Sequence, residues 1–288
     1  MRAELYGERP AAGVTRTRSR PLGARKAEWT GRLFGDRYRL LARVGGGGMA
    51  TVHRARDERL VRDVAVKVLA ERYARDPVLV RQFRREAQIC GGLAHPNVVS
   101  VLDAGVVPRE FIVMELVDGV DAATLLKRRG RPTLGEALHV LAQASDALAY
   151  VHDQGVIHGD VSPRNILIRW PDQTAKLADF GLASRPVESA ARQVTAGTPG
   201  YIAPEVLLGE DPTPRSDLYS LGEVAKRLLA GPAPAALEDR TRLPRALSAA
   251  VERAVAKEPD ARQASVAEFR ADLIGVLRTP VRQLRPAA

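Results

Sequence analysis

Apolar and polar positions change their period once along this chain. From "DRYRLLARVG", which begins at Asp36, to "FIVMELV", which ends at Val117, the pattern is that of strands. "VHRARD" alternates and "DVAVKVL" runs almost continuously apolar. One helix interrupts them: in "DPVLVRQFRREAQIC", Phe83, Ala87 and Cys90 recur at i, i+4 and i+7, with Asp76 as N-cap and Pro77 at the first helical position. Beyond Gly119 the period becomes helical. "LGEALHVLAQASDALAYVHDQG" places Leu134, Leu138, Leu141, Ser145 and Leu148 on one stripe, ended by Gly155. A shorter helix follows Asp217, with Leu218, Leu221, Ala225 and Leu228 inward, and "LSAAVERAVAKEPD" and "ASVAEFRADLIGVL" supply two more. A strand-rich part followed by a helical part predicts an α+β fold of two packed lobes with a cleft between them.

Composition sets limits. Hydrophobic residues make up 45% and charged residues 27% of the 288, the balance of an ordinary globular protein. No apolar run approaches the roughly 18 residues that a membrane span needs, and the Arg-rich N-terminus lacks the apolar core of a secretory signal. Cys90 is the single cysteine, which excludes an internal disulfide and a Cys-based zinc cage and fits a reducing cytoplasm. The formal charge of +10 first points to nucleic acid or acidic lipid. Its distribution argues otherwise. Residues 1–35 hold eight basic and three acidic side chains, and Arg278, Arg282 and Arg285 follow the last acid, Asp272. Residues 1–35 and 279–288 therefore read as solvated tails around a nearly balanced body, and no specific nucleic-acid partner is expected.

Four polar stretches carry chemistry. "VGGGGMATV", residues 44–52, lies between two strand candidates and fits G-x-G-x-x-G-x-V, with Ala50 in place of the last glycine. After Val44, the backbone N–H groups of Gly45, Gly46, Gly47 and Gly48 are free to approach phosphates closely; the bland reading is a mobile hairpin. No helix follows, which argues against a P-loop or a dinucleotide-binding turn. Fifteen residues after Val52, Lys67 stands inside an apolar strand, where an unpaired ammonium is very costly. Glu86, on the inward side of the next helix, is its natural partner; the bland reading is a weak surface pair. In "HGDVSPRN", residues 158–165, Asp160 is suited to accept the proton of an attacking hydroxyl and Asn165 to hold a divalent ion. "DFG", Asp179 to Gly181, follows the strand pair "NILIR" and "AKLAD" and puts a carboxylate where it can reach Mg²⁺ beside phosphates. The order and spacing of glycine loop, Lys67, Glu86, Asp160, Asn165 and Asp179 make chance agreement very improbable.

This set resembles the eukaryotic-like protein kinases, especially bacterial Ser/Thr kinases, over residues 37 to 276. "RREAQ", "HPNVV", "FIVMELVDG", "DFGLA", "GTPGYIAPE" and "SDLYSLG" carry the likeness beside the stretches above. The resemblance implies a bilobal kinase domain at 36–278, with an N-lobe at 36–117 and a C-lobe at 118–278. It implies ATP and Mg²⁺ as cofactors and a Ser/Thr-bearing protein substrate. The glycine loop would cover the phosphates, and Lys67, paired with Glu86, would touch them. Met114 would be the gatekeeper, backbone groups of Glu115 and Val117 would meet the adenine, and Val52, Ala65 and Leu167 would sandwich it. Asp160 would be the catalytic base, with Asn165 and Asp179 the metal ligands. Glu205 would pair with Arg262, and Asp217 would brace the catalytic loop. Cys90, Val101, His158 and Phe180 would form an apolar spine.

Three departures stand out. Gly159 replaces the Arg that usually meets a phosphorylated activation loop, so activity is expected to be largely independent of phosphate on Thr195. Ser162 replaces the Lys that usually steadies the transferring phosphoryl group, and Arg164 is the substitute cation. Only about fifteen residues separate "RLLAG" from "RALSAAVERAV", so the substrate-docking helix found there in relatives is expected to be very short or absent. "HGD" with a nearby Ser also resembles aminoglycoside-type small-molecule phosphotransferases, and a kinase-like binding module with little catalysis is the third reading. Against the small-molecule reading stands "GTPGYIAPE", a platform for protein substrates. Its Thr198 sits where Ser/Thr kinases carry a Thr that contacts the catalytic Asp. Asp118 and Asp121, just past the hinge, are read as solvated loop charges or as a preference for basic residues near the target hydroxyl. The chain stops soon after its last kinase helix, so a regulatory partner protein is expected to bring any signal.

Overall fold

The computed structural model describes residues 29–180, 197–230 and 243–278. Six strands form the upper lobe: β1 (Leu33–Phe34), β2 (Tyr38–Gly46), β3 (Ala50–Asp57), β4 (Arg62–Leu69), β5 (Val101–Gly105) and β6 (Phe111–Glu115). They pair antiparallel in the order β1-β2-β3-β4-β6-β5. Alternation divides the sheet into two working faces. On one, Val64, Val66 and Val68 of β4 meet Phe111 and Val113 of β6, Phe34, Leu40 and Trp29 in a closed core. On the other, Ala65 lies opposite Met114, Lys67 lies between Ile112 and Val52, and Leu69 lies opposite Ala50 in register. Leu69 and Ile112 of that face pack on Phe83 of helix α1 (Pro77–Gly91).

The solvated tail read through residue 35 ends earlier than expected. Trp29 is buried, its ring 5.4 Å edge-on from Phe34, which in turn stands 5.5 Å from Phe111. Two aromatic side chains in a short polar stretch show no period, so their burial against the sheet was invisible to pattern reading. The rest of that tail, and residues 279–288, lie outside the described residues. So do Gly181, Thr195 and the segment where the docking helix was expected to be very short or absent.

The lower lobe is mostly helical. It contains β7 (Gly119–Asp121), α2 (Ala122–Arg129), α3 (Leu134–Asp153), β8 (Ile166–Arg169), β9 (Ala175–Leu177), α4 (Pro204–Leu207), α5 (Pro214–Ala230), α6 (Arg245–Ala254) and α7 (Val266–Arg278). Helix α3 starts with a capping box, Thr133 and Glu136 bonding each other's backbone, and stops at Gly155, whose φ is +68°. Its stripe buries Leu138, Leu141, Ser145 and Leu148, while Leu134 at the first turn is 37% exposed. Helix α5 begins at Pro214, before Asp217 rather than after it, and "AKEPD" lies past the end of α6.

The lobes are sewn together where the chain crosses between them. Leu177 N–H donates to Asn97 O at 2.7 Å, Val99 N–H donates to Leu177 O at 2.9 Å, and Asn97 Nδ2 donates to Ala175 O at 2.8 Å. Ile89, Cys90 and Leu93 from the end of α1 join one continuous core with Leu148, Leu177, Phe180 and Leu221 below. Among the described residues no helix is long and apolar enough to cross a membrane.

Candidate active site

The site begins with the helix that carries Glu86. Asp76 accepts from Val78 N–H at 2.9 Å and Leu79 N–H at 3.3 Å, and Pro77 supplies a preset φ, so α1 starts at a defined residue. Three turns later Glu86 faces the sheet. Lys67 Nζ donates to both its oxygens, at 2.6 and 2.8 Å, and to Asp179 Oδ1 at 2.7 Å. Burial alone would lower the Lys67 pKa, but the Asp179 and Glu86 carboxylates more than reverse it and the net shift is upward. Glu86 is pushed up by burial and, less, by Asp179, against the pull of Lys67. One ammonium thus serves two carboxylates, leaving local negative charge at the cleft mouth, with Asp179 54% exposed there. Asp179 has φ +62°, an uncommon backbone state for a non-glycine residue.

The "HGDVSPRN" loop hangs from α5. Asp217, fully buried, accepts from His158 N–H and Gly159 N–H at 2.8 Å each and from His152 Nε2 at 2.9 Å. Burial would raise its pKa; the His152 hydrogen bond and the backbone donors outweigh this and hold it below the usual carboxylate value. Gly159 has φ +79°, a conformation that costs any L side chain roughly 1 kcal/mol, so glycine suits this turn. His158 accepts from Asp160 N–H at 3.2 Å, donates to Ala178 O at 3.2 Å, and sets its ring 4.6 Å from that of Phe180, tilted by 43°. Cys90 and Phe180 share one buried core, against which half-buried Val101 packs, and burial pushes the Cys90 thiol up.

Asp160 is held by two donors: Thr198 N–H to Oδ1 at 2.8 Å and Asn165 Nδ2 to Oδ2 at 3.0 Å. The Thr198 contact comes through the backbone. Asn165 Nδ2 also donates to Asp160 O, and Asn165 O accepts from Ala178 N–H, both at 2.8 Å, which sets the loop beside the residue that precedes Asp179. The Asn165 amide oxygen makes no hydrogen bond among the described residues. Asp179 and this oxygen are the hard, neutral-to-anionic donors that Mg²⁺ takes when phosphates complete its shell. Among the described residues no three His, Cys, Asp or Glu side chains form a protein-only metal cage. Ser162 is fully buried and its hydroxyl has no partner among the described residues, whereas Arg164 is exposed.

Above the loop, Val52, Ala65 and Met114 lie on the Lys67 face of the sheet, and Leu167 comes from β8 below. In the glycine loop Val44 is 57% exposed and Gly45, Gly47 and Gly48 are exposed. A Cβ on Gly46, at φ +137°, would fall 2.7 Å from Ala50 O. Glu115 N–H is taken by Ser100 O at 3.0 Å, whereas the Val117 backbone bonds no described residue. At the far end Arg262, buried, forks onto Glu205 at 2.7 and 2.8 Å and donates to the carbonyls of Ala256, Arg215 and Lys257. Asp121 accepts from Thr124 N–H and Oγ1 at 2.8 and 2.7 Å as the cap of α2, and Asp118 is engaged too, so neither is a free carboxylate.

Sequence reasoning missed Lys176. It sits in β9, 5% exposed, and donates to Glu115 Oε1 at 2.7 Å, tying the hinge to the lower lobe. The signal was there, because a Lys in an apolar strand three residues before Asp179 needs an anion as much as Lys67 does. His152 was also missed; on an amphipathic helix a lone His gives no hint of its partner.

The protein kinase domain family matches residues 38–288. The chain is 41% identical over 271 residues to the serine/threonine-protein kinase PknB of Mycolicibacterium smegmatis, covering 84% of this chain and 43% of that protein. It is 42% identical over 213 residues to PknA of Mycobacterium tuberculosis, covering 71% and 49%. This chain therefore spans less than half the length of the curated relatives it matches. Among solved structures it resembles the kinase domain of Mycobacterium tuberculosis PknI, with a TM-score of 0.70 and 31% identity over 85% of this chain and 98% of that one.

Proposed function

Because the chain belongs to the eukaryotic-like Ser/Thr protein kinase family of bacteria, we propose that it transfers the γ-phosphoryl group of ATP to Ser or Thr hydroxyls of a protein. The observation that carries this reading is Lys67 Nζ bonded at once to Glu86 of α1 and to Asp179 of the lower lobe. Three stretches far apart in sequence meet there, and the bond from Ala178 N–H to Asn165 O joins the Asp160 loop to the residue before Asp179.

In this reading the glycine loop, Val44 to Gly48, covers the phosphates and Lys67 holds them. Val52, Ala65 and Leu167 enclose the adenine below Met114, and the free Val117 backbone and Glu115 carbonyl address its edge. Asp160, oriented by Thr198 and Asn165, accepts the hydroxyl proton as the oxygen bonds to the γ-phosphorus and the β–γ bridging oxygen leaves with ADP. Asn165 and Asp179 would hold Mg²⁺, which when bound neutralises charge on the phosphate oxygens. Arg164 supplies the cation that Ser162 lacks. Thr198 sets Ser/Thr preference, and the Glu205–Arg262 pair and Asp217 anchor the surrounding segments. Gly159 offers no guanidinium to a phosphorylated Thr195, so the enzyme works without that modification. A cytoplasmic setting and a regulatory partner protein complete the proposal.

The test is labelled ATP with Mg²⁺, wild type against Asp160→Asn, scored for autophosphorylation and for a generic protein substrate. Label that appears with wild type and vanishes in the variant is the expected result. Nucleotide binding without transfer would instead favour a binding module, and turnover only with added small metabolites a small-molecule kinase. Phosphatase treatment should change turnover by no more than about twofold; loss of activity would sink the independence from Thr195.

A further inference from the structure

Two exposed guanidinium groups, those of Arg164 and Arg227, belong to elements tied to the loop that carries Asp160. Arg164 is exposed, four residues after Asp160 and one before Asn165, on the loop that Thr198 N–H caps at 2.8 Å. Tyr201 follows that Thr in a turn, with Tyr201 N–H donating to Thr198 O at 3.1 Å. Ser220 Oγ of α5 donates to Tyr201 O at 2.7 Å and so ties the turn to the helix. Arg227 lies seven residues after Ser220, on the same face of α5, and is exposed. Burial raises the Tyr201 phenol pKa overall, and the charges of Arg227 and, less, Arg164 oppose that rise. Neither one hydrogen-bonds or ion-pairs among the described residues. The one acid that also acts on Tyr201 is Glu223, and it is bonded to Lys226 at 2.9 Å. Among the described residues, two positive charges without a bonded acid therefore sit on elements linked through Tyr201 and Thr198 to Asp160. In the same lobe, Asp121 is used as a helix cap and offers a basic peptide little.

Building on the kinase reading, we infer that Arg164 and Arg227 select a protein substrate with acidic residues, Asp or Glu, close to the target hydroxyl. Arg227 is a specificity-determining residue, while Arg164 serves both the peptide and the transferring group. The planar guanidinium suits a carboxylate in two-point contact. Exposure to solvent keeps each pair modest, so the effect is one of ranking among peptides rather than absolute affinity.

The experiment uses the whole chain with Mg²⁺ and a non-hydrolysable ATP analogue. Fluorescent peptides share a central Ser and differ in their flanks: Asp/Glu, Asn/Gln or Arg/Lys. Anisotropy at low salt should rank acidic over neutral over basic, with roughly tenfold between the extremes. Arg227→Ala should narrow that spread and Arg227→Glu should reverse it, with thermal melts showing both variants folded. Equal binding, basic-first binding, no binding, or an unchanged ranking in Arg227→Glu overturns the inference. The readout is separate from transfer. Acidic-first binding with no peptide ever phosphorylated would leave this inference standing and sink the Ser/Thr kinase reading instead.

Discussion

At the scale of single residues, a charge in an apolar strand has to be answered by an opposite charge, and Lys67 and Lys176 both obey that rule. The chemistry then rests on side chains whose neighbours keep them in one state. Arg164 is exposed and makes no hydrogen bond or ion pair with the described residues, so its removal should hurt turnover and spare the fold: Arg164→Ala should lose about 10²-fold in kcat with an unchanged melting temperature. An unchanged kcat would remove it from the transfer step. Cys90 is the opposite case. Buried 97% and with its thiol pushed up, it should resist alkylating reagents in the native protein and react only at the rate of global unfolding. Rapid native labelling, followed by mass spectrometry, would contradict that picture.

At the scale of elements, starts and stops were legible because they depend on a few local residues. The Asp76–Pro77 start of α1 was read from the sequence and is present in the structure, whereas the Thr133–Glu136 box of α3, equally local, was not read. Asp76→Ala should cost about 1 kcal/mol in denaturant unfolding. Because α1 carries Glu86, the same change should also raise the KM for ATP; a loss of stability with KM unmoved would show that the first turn is uncoupled from the site. Close approaches between elements were not legible. A Cβ on Gly119 would stand 1.9 Å from Ile168 O, where β7 presses on β8. Nothing near Gly119 in the sequence announces that contact, because the partner lies about fifty residues away.

At the scale of the whole molecule, buried ion pairs join distant segments. Arg262 is 1% and Glu205 is 6% exposed, and the pair fastens the "APE" turn to the segment between α6 and α7. Arg262→Ala leaves a buried carboxylate without its cation and should cost about 3–5 kcal/mol in equilibrium unfolding; a loss under 1 kcal/mol would show that water replaces the guanidinium. In the upper lobe, Arg37 forks onto Asp57 at 2.8 and 2.7 Å and holds its carboxyl down at about 2. A depressed folded pKa stabilises the protein above the unfolded value, near 4, and that contribution is lost as pH falls through about 2. Thermal melts across that window should show a steep acid loss in the wild type and a flatter one in Arg37→Met.

Local rules acting on neighbouring residues settled the two-lobe division, the start of α1 and the types of side chain that the proposed phosphoryl transfer needs. Each follows from period, capping or the cost of burying charge, and none needs a distant partner to be known. The folded chain alone decided which of those side chains meet. It brought Lys67 to two carboxylates at once, gave Asp160 the backbone of Thr198, tied Glu115 to Lys176 and left Arg164 and Arg227 exposed. Such pairings span tens of residues or more, and packing the two lobes around a shared core is what selects them.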